Sequence, residues 1–192
     1  MIDYHIHLER GSYGLPWLEQ FLAVGNERGI GQFGIVEHLY LFQEAKGLLF
    51  DNDHVKAKQV RRINDYFEFI NAVKAAGLPV RCGLEVDYVP EKEELIRQFV
   101  KDLPVDFIIG SVHYLGEWGF DLSSDWLQRD NEKVYRQYFS VLLQAAASGI
   151  FDILGHCGNI AYHGHHLDSS LEEELFQAFF HDLLCTQENS HA

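Results

Sequence analysis

The sequence predicts an α/β fold in which a parallel sheet is flanked by helices, built from about five β-then-α units. Three observations carry that prediction. Short apolar runs alternate with longer stretches whose apolar residues recur every three or four positions. Gly and Pro punctuate the boundaries between the two patterns. The regular alternation of strand and helix is the pattern of a parallel sheet with its crossover helices outside.

Each element can be justified in turn. The first strand is Ile2 to His7. Pro16 opens a helix with Leu18, Phe21 and Leu22 at helical spacing, and Gly29 stops it. "QFGIVEH", Gln32 to His38, is the second strand. After a loop, Val60, Ile63, Phe67, Ile70 and Val73 mark a long amphipathic helix ended by Gly77 and Pro79. "VRCGLEVDY", Val80 to Tyr88, is the third strand. Pro90 opens a helix with Leu95, Phe99 and Leu103 on one face. "FIIGSVHYL", Phe107 to Leu115, is the fourth strand. Asp130 is the N-cap of a helix carrying Val134, Tyr138, Leu142 and Ala145, with Gly149 beyond its end. "IFDILGH", Ile150 to His156, is the fifth strand, and "SSLEEELFQAFFHDLL" is a last helix with Ser170 and Glu173 at capping-box spacing. Residues 1–184 read as one β/α domain, and the polar end, 185–192, as a disordered tail.

Composition narrows the function classes. The 192 residues are 47% hydrophobic and 14% aromatic, enough for a sizeable core. With 15 Lys and Arg against 29 Asp and Glu, the net charge is −14. Such a surface repels phosphate backbones, which argues against a nucleic-acid partner. Three cysteines, Cys82, Cys157 and Cys185, are too sparse and irregular for a disulfide framework. No basic-then-apolar leader and no run of membrane-spanning length is present, so the expectation is a cytoplasmic protein without a membrane partner.

Eleven histidines are the unusual count, and their positions are informative. The first strand ends in His5 and His7, the second in His38, the fourth in His113 and the fifth in His156, while the third carries Glu85. In parallel β/α barrels the C-terminal ends of the strands build the active site. Residues i and i+2 on a strand point the same way, so His5 and His7 aim into one cavity. Neutral imidazole and carboxylate together suit zinc, manganese or iron, and a carboxylate such as Glu85 can bridge two ions. Any one of these residues alone is an ordinary hydrogen-bonded histidine or a solvated acid; the joint pattern predicts a shared metal site.

The motifs "DYHIHLERG", "GIVEH", "GLEVDY", "GSVHYL" and "DILGH", in that order over about residues 1–160, resemble those of the polymerase and histidinol phosphatase (PHP) family, and of its histidinol-phosphatase type in particular. The resemblance implies a PHP-type, TIM-like fold, here an incomplete or distorted parallel β/α barrel. It implies two divalent ions (Zn, Mn or Fe), with a third site in question. His5 and His7 resemble ligands of the first metal, Glu85 the carboxylate shared between first and second, His113 and His156 ligands of the second, and His38 a ligand of the third. The implied reaction is hydrolysis of a phosphomonoester, histidinol phosphate in histidine biosynthesis, by an ion-acidified water attacking phosphorus in line.

Some features depart from the family pattern. The family's final Asp-x-His pair is absent, so the expectation is a C-terminally truncated member whose open sheet edge favours self-association. Two alternatives follow: a relative that binds metal without turnover, and a phosphoesterase for another small phosphorylated substrate. Cys157 and Gly158 follow His156 where relatives have Pro-Asp, and Cys157 reads as a small, partly buried thiol. Glu9 reads as solvated or paired with Arg10, with metal ligation as the alternative. His163, His165 and His166 read as a polar loop, with a compensating metal site as the alternative. Arg10 could meet phosphate, whereas Arg81 falls early in its strand and points away. No arginine is fixed as a substrate contact.

Overall fold

The computed structural model describes residues 1–120, 125–162 and 166–189. In chain order the strands and α-helices are β1 (Ile2–Ile6), α1 (Leu15–Glu27), β2 (Gln32–His38), α2 (Asp53–Lys58), α3 (Ile63–Ala75), β3 (Val80–Asp87), α4 (Glu93–Val100), β4 (Phe107–Ser111), β5 (Tyr114–Leu115), β6 (Trp118–Gly119), α5 (Asn131–Ser148), β7 (Ile153–Leu154), α6 (Asn159–Tyr162) and α7 (Ser169–Asn189). The chain divides into two compact units. One comprises Met1–Val86 and Gln98–Ile109, the other Asp87–Arg97 and Gly110–Ala192. Among the described residues no helix is long and apolar enough to cross a membrane.

In the first unit, β1, β2, β3 and the start of β4 lie side by side in that order. β2 and β3 pair in parallel without interruption from Phe33 opposite Val80 to His38 opposite Glu85. β1 pairs with β2 less regularly. Asp3 is opposite Phe33 and Ile6 opposite Ile35, so three steps along β1 match two along β2. That extra residue is a β-bulge, which changes the facing of everything beyond it. Within the bulged segment Tyr4 stacks on Phe107, ring centroids 5.0 Å apart, beside Val36 and Ile109. After it, Ile6 joins Phe33, Trp17 and Phe21 along an open cleft between β1 and α1. Gly34 and Gly83 leave the room that Phe107 fills: a Cβ at Gly83 would lie 2.4 Å from its ring. The Tyr66 hydroxyl, fully buried, sits 2.7 Å from both the Ile35 and Gly83 carbonyl oxygens, tying α3 to β2 and β3.

The second unit is built on α5 and α7. Val134, Tyr138, Leu142 and Ala145 of α5 are buried together with Leu175 and Phe179 of α7, and Phe139 stacks on Phe179. The Asp130 side chain accepts from the Lys133 N–H, and Gly149 takes the left-handed conformation that closes the helix, as the sequence predicts. β7 runs beside the end of β4, where the Gly155 N–H donates to the Gly110 carbonyl.

Several expected boundaries shift. The fourth apolar run breaks after Ser111, and Tyr114–Leu115 turns instead into a two-stranded antiparallel ribbon with Trp118–Gly119. Val60 lies before α3 and is exposed. The buried face of α4 is Ile96 and Val100, one position on from the expected Leu95, which is 58% exposed. The cap of α7 is Asp168, whose carboxylate accepts from the Ser170 N–H, in place of the expected capping box at Ser170. α7 continues to Asn189, past the expected end at Leu184, and residues 190–192 lie outside the described residues. Helices α2 and α6 occupy segments read as loop.

Candidate metal centre

Four of the six predicted ligands meet in the first unit. His38 is the last residue of β2, Glu85 lies two residues before the end of β3, and His5 and His7 flank the end of β1. The parallel register sets His38 directly opposite Glu85. The bulge in β1 delivers the imidazoles to the same place. His5 Nε2, His7 Nε2 and His38 Nδ1 each lie 3.1 Å from Glu85 Oε2. His5 Nε2 and His7 Nε2 are themselves 3.1 Å apart. The His7 and His38 rings stack at 4.4 Å.

Hydrogen bonding alone does not account for this crowding. A carboxylate oxygen has two lone pairs, and a neutral imidazole has one N–H to give. Three ring nitrogens on one fully buried oxygen leave lone pairs facing one another. A cation resolves that conflict. Two ligands each 2.0–2.1 Å from zinc at the tetrahedral angle stand roughly 3.3 Å apart, close to the spacing found here. His7, His38 and Glu85 offer ligand atoms all within 4.8 Å of one another. This donor set therefore fits a divalent ion.

Electrostatics agree. Burial by itself lowers the His7 pKa, yet the Glu85 carboxylate beside it, with Glu37 and Glu9, holds it above the ordinary imidazole value. The cluster thus attracts positive charge, whether as a proton or as a metal ion.

Two residues that the sequence reading missed hold this arrangement. Glu37, fully buried, accepts the Leu8 N–H through Oε1 at 2.8 Å and so fixes the chain immediately after His7. Burial pushes its carboxyl up to about 7, against the pull of that N–H, His7 and Arg61. Arg61 donates to the carbonyls of Glu9 (2.7 Å) and Gly11 (2.8 Å), and its guanidinium lies over the Tyr13 ring. The one available signal for Glu37 was an acid inside an otherwise apolar strand. Arg61 had no signal, since its partners are backbone atoms some fifty residues away.

The other two predicted ligands meet in the second unit. His113 follows β4 and His156 follows β7, with ring centroids 4.9 Å apart. The Tyr138 hydroxyl donates to the His156 carbonyl. His156 is the only non-glycine with positive φ among the described residues, at 26°. Such backbone strain is held only where surrounding structure imposes it, and it concentrates at functional sites. Asp87 lies beneath His113, a third residue the sequence reading passed over.

The remaining candidates within the described residues are Glu9, Arg10, Arg81, Cys157 and His166. Glu9 faces Lys58 at 4.0 Å where solvation or pairing with Arg10 was expected, and Arg10 is exposed. Arg81 is half exposed and lies 4.0 Å from Asp106, near the start of β3, four residues before Glu85. Cys157 is partly buried against the α5–α7 core, and burial raises its thiol pKa. His166 Nδ1 lies 3.4 Å from Glu172 on the surface. His163 and His165 lie outside the described residues.

Comparison with known proteins gives the family and the fold. The PHP domain family matches residues 3–184. A Deinococcus radiodurans protein named "Probable histidinol-phosphatase" is 38% identical over 104 residues, 51% of this chain and 40% of its own. The chain spans about two fifths of the length of the curated relatives it matches. The fold is that of a Lactococcus lactis histidinol phosphate phosphatase crystallised with zinc, L-histidinol and phosphate: TM-score 0.72, 22% identity, 96% of this chain and 70% of that one. It is also that of a Listeria monocytogenes protein named as a histidinol phosphatase: TM-score 0.76, 22% identity, 99% of this chain and 79% of that one.

Proposed function

The chain belongs to the PHP domain family, and from that premise we propose that it is a divalent-metal-dependent phosphomonoesterase acting on histidinol phosphate. The observation that carries the reading is the convergence of His5, His7 and His38 on Glu85 Oε2, each at 3.1 Å. The names of its relatives supply the substrate, and the zinc, L-histidinol and phosphate of the Lactococcus lactis structure support metal and product classes together.

In this reading His5, His7, His38 and Glu85 would hold a divalent ion in the first unit, and His113 and His156 would offer ligands to a second. Divalent ions, when bound, supply positive charge at the phosphate oxygens and an acidified water. The chain's own residues do the rest. Glu37 and Arg61 keep the residues after His7 in place, so that the imidazoles need no reorganisation on binding. The net charge of −14 makes the ions the source of attraction for an anionic substrate.

The test is phosphate release from histidinol phosphate by the purified chain with zinc or manganese, beside His7→Ala and a panel of other small phosphomonoesters. Release that needs metal, is lost in His7→Ala and is greatest for histidinol phosphate is the expected outcome. Well-folded protein that releases no phosphate at saturating metal refutes catalysis. Equal rates across the panel refute the substrate.

A further inference from the structure

Asp87 is fully buried, 1% exposed, at the last position of β3. Its Oδ1 lies 2.8 Å from His113 Nδ1 and accepts the His113 backbone N–H at 3.2 Å. Its other oxygen, Oδ2, is buried without a hydrogen-bond partner. The Tyr88 N–H donates to the Ser111 carbonyl, locking the ends of β3 and β4 together around this pair. A carboxylate can only accept, so the short contact requires the proton on His113 Nδ1, and the lone pair then resides on Nε2.

We propose that Asp87 is a positioning residue: it fixes His113 as the Nδ1–H tautomer and so presents Nε2 as a ready metal ligand. The inference rests on the metal-binding reading above but not on the substrate. A ligating histidine commonly gives its second N–H to a carboxylate or carbonyl, which sets ring orientation and raises the basicity of the ligating nitrogen. Here the carboxylate holds ring and backbone of one residue at once, so both the rotation of the imidazole and the chain beneath it are set before any ion arrives. Burial strengthens the effect, since neither oxygen has bulk water to turn to.

The experiment has two readouts. Ring nitrogen NMR shifts of His113 in metal-free protein, above the pH of imidazole protonation, report the tautomer directly. Wild type is expected to show a protonated Nδ1 and an unprotonated Nε2. Asp87→Ala should move His113 toward the Nε2–H form and weaken zinc binding about 10–100-fold by calorimetry. Asp87→Asn keeps a carbonyl oxygen toward Nδ1–H, so it should restore the tautomer and most of the affinity. An unchanged tautomer in Asp87→Ala, or zinc affinity equal to wild type, overturns the inference. So does an Asp87→Asn variant that folds yet fails to rescue either readout. Were the wild type to hydrolyse no histidinol phosphate while these shifts and affinities behaved as stated, the substrate reading would fall and this one would stand.

Discussion

Asp106 and Glu85 show what a carboxylate does in two settings. Glu85 Oε2 gathers three imidazoles whose lone pairs conflict until a cation joins them. Asp106 Oδ2 instead gathers donors, the Lys74 ammonium and the Cys82 N–H, each at 2.6 Å, while its own N–H donates to the Cys82 carbonyl. Burial would raise the Asp106 pKa, but those donors and Arg81 outweigh it and hold the carboxyl below its ordinary 3.8. A lowered native pKa means the unfolded chain takes up protons first as pH falls. The stabilisation is therefore complete well above pH 3.8 and is lost as pH drops through the lower native value. We expect Asp106→Asn to cost about 1 kcal/mol at pH 7, the difference between a charged and a neutral acceptor. The gap to wild type should close in urea titrations below pH 3.8. A gap that stays constant down to pH 2 would show that the charge contributes nothing.

Among the elements, β1 decides whether the cluster around Glu85 forms. Simple alternation puts Tyr4 and Ile6 on one face and His5 and His7 on the other. Tyr4 packs on Phe107, and on an unbroken strand the histidines would then face the helices. The bulge between Asp3 and Ile6 lets Tyr4 and the histidines share a face. Gly34 makes this possible, since a Cβ there would lie 2.6 Å from the Tyr4 Cα, a backbone atom that cannot swing aside. Gly34→Ala is thus expected to destabilise by about 1–3 kcal/mol and to weaken zinc binding as well, because β1 must move to accept the methyl. Stability and zinc affinity both equal to wild type would sink the argument. Much of this scale was legible beforehand. The strand ends that carry His38, Glu85, His113 and His156 follow from apolar runs that stop at a metal-capable side chain. The bulge that brings His5 and His7 together leaves no mark in "IDYHIH". The face of α4 slipped by one position because Leu95 is as apolar as Ile96, and only packing tells them apart. Glu37 and Asp87 went unread for another reason. Their partners, Leu8 and His113, are 29 and 26 residues away, and no local pattern announces a hydrogen bond at that range.

For the molecule as a whole, charge and metal are one question. Twenty-nine acids against fifteen bases give −14, a self-repulsion that favours expansion of the chain. An ion that binds the native cluster and not the unfolded chain stabilises by mass action, about 2.7 kcal/mol at a hundredfold excess over Kd. For a chain of this length that corresponds to a rise in Tm of roughly 5–10 °C. Mere screening of surface acids would act without a site and would be matched by monovalent salt. We therefore expect zinc to raise Tm by that amount, chelator to reverse it, and potassium chloride at equal ionic strength to leave it nearly unchanged. His7→Ala should abolish most of the zinc effect, because it removes a nitrogen from the centre of the cluster. Should potassium chloride or His7→Ala give the same rise as zinc on wild type, the stabilisation would belong to the acidic surface, and the convergence on Glu85 would have no part in it.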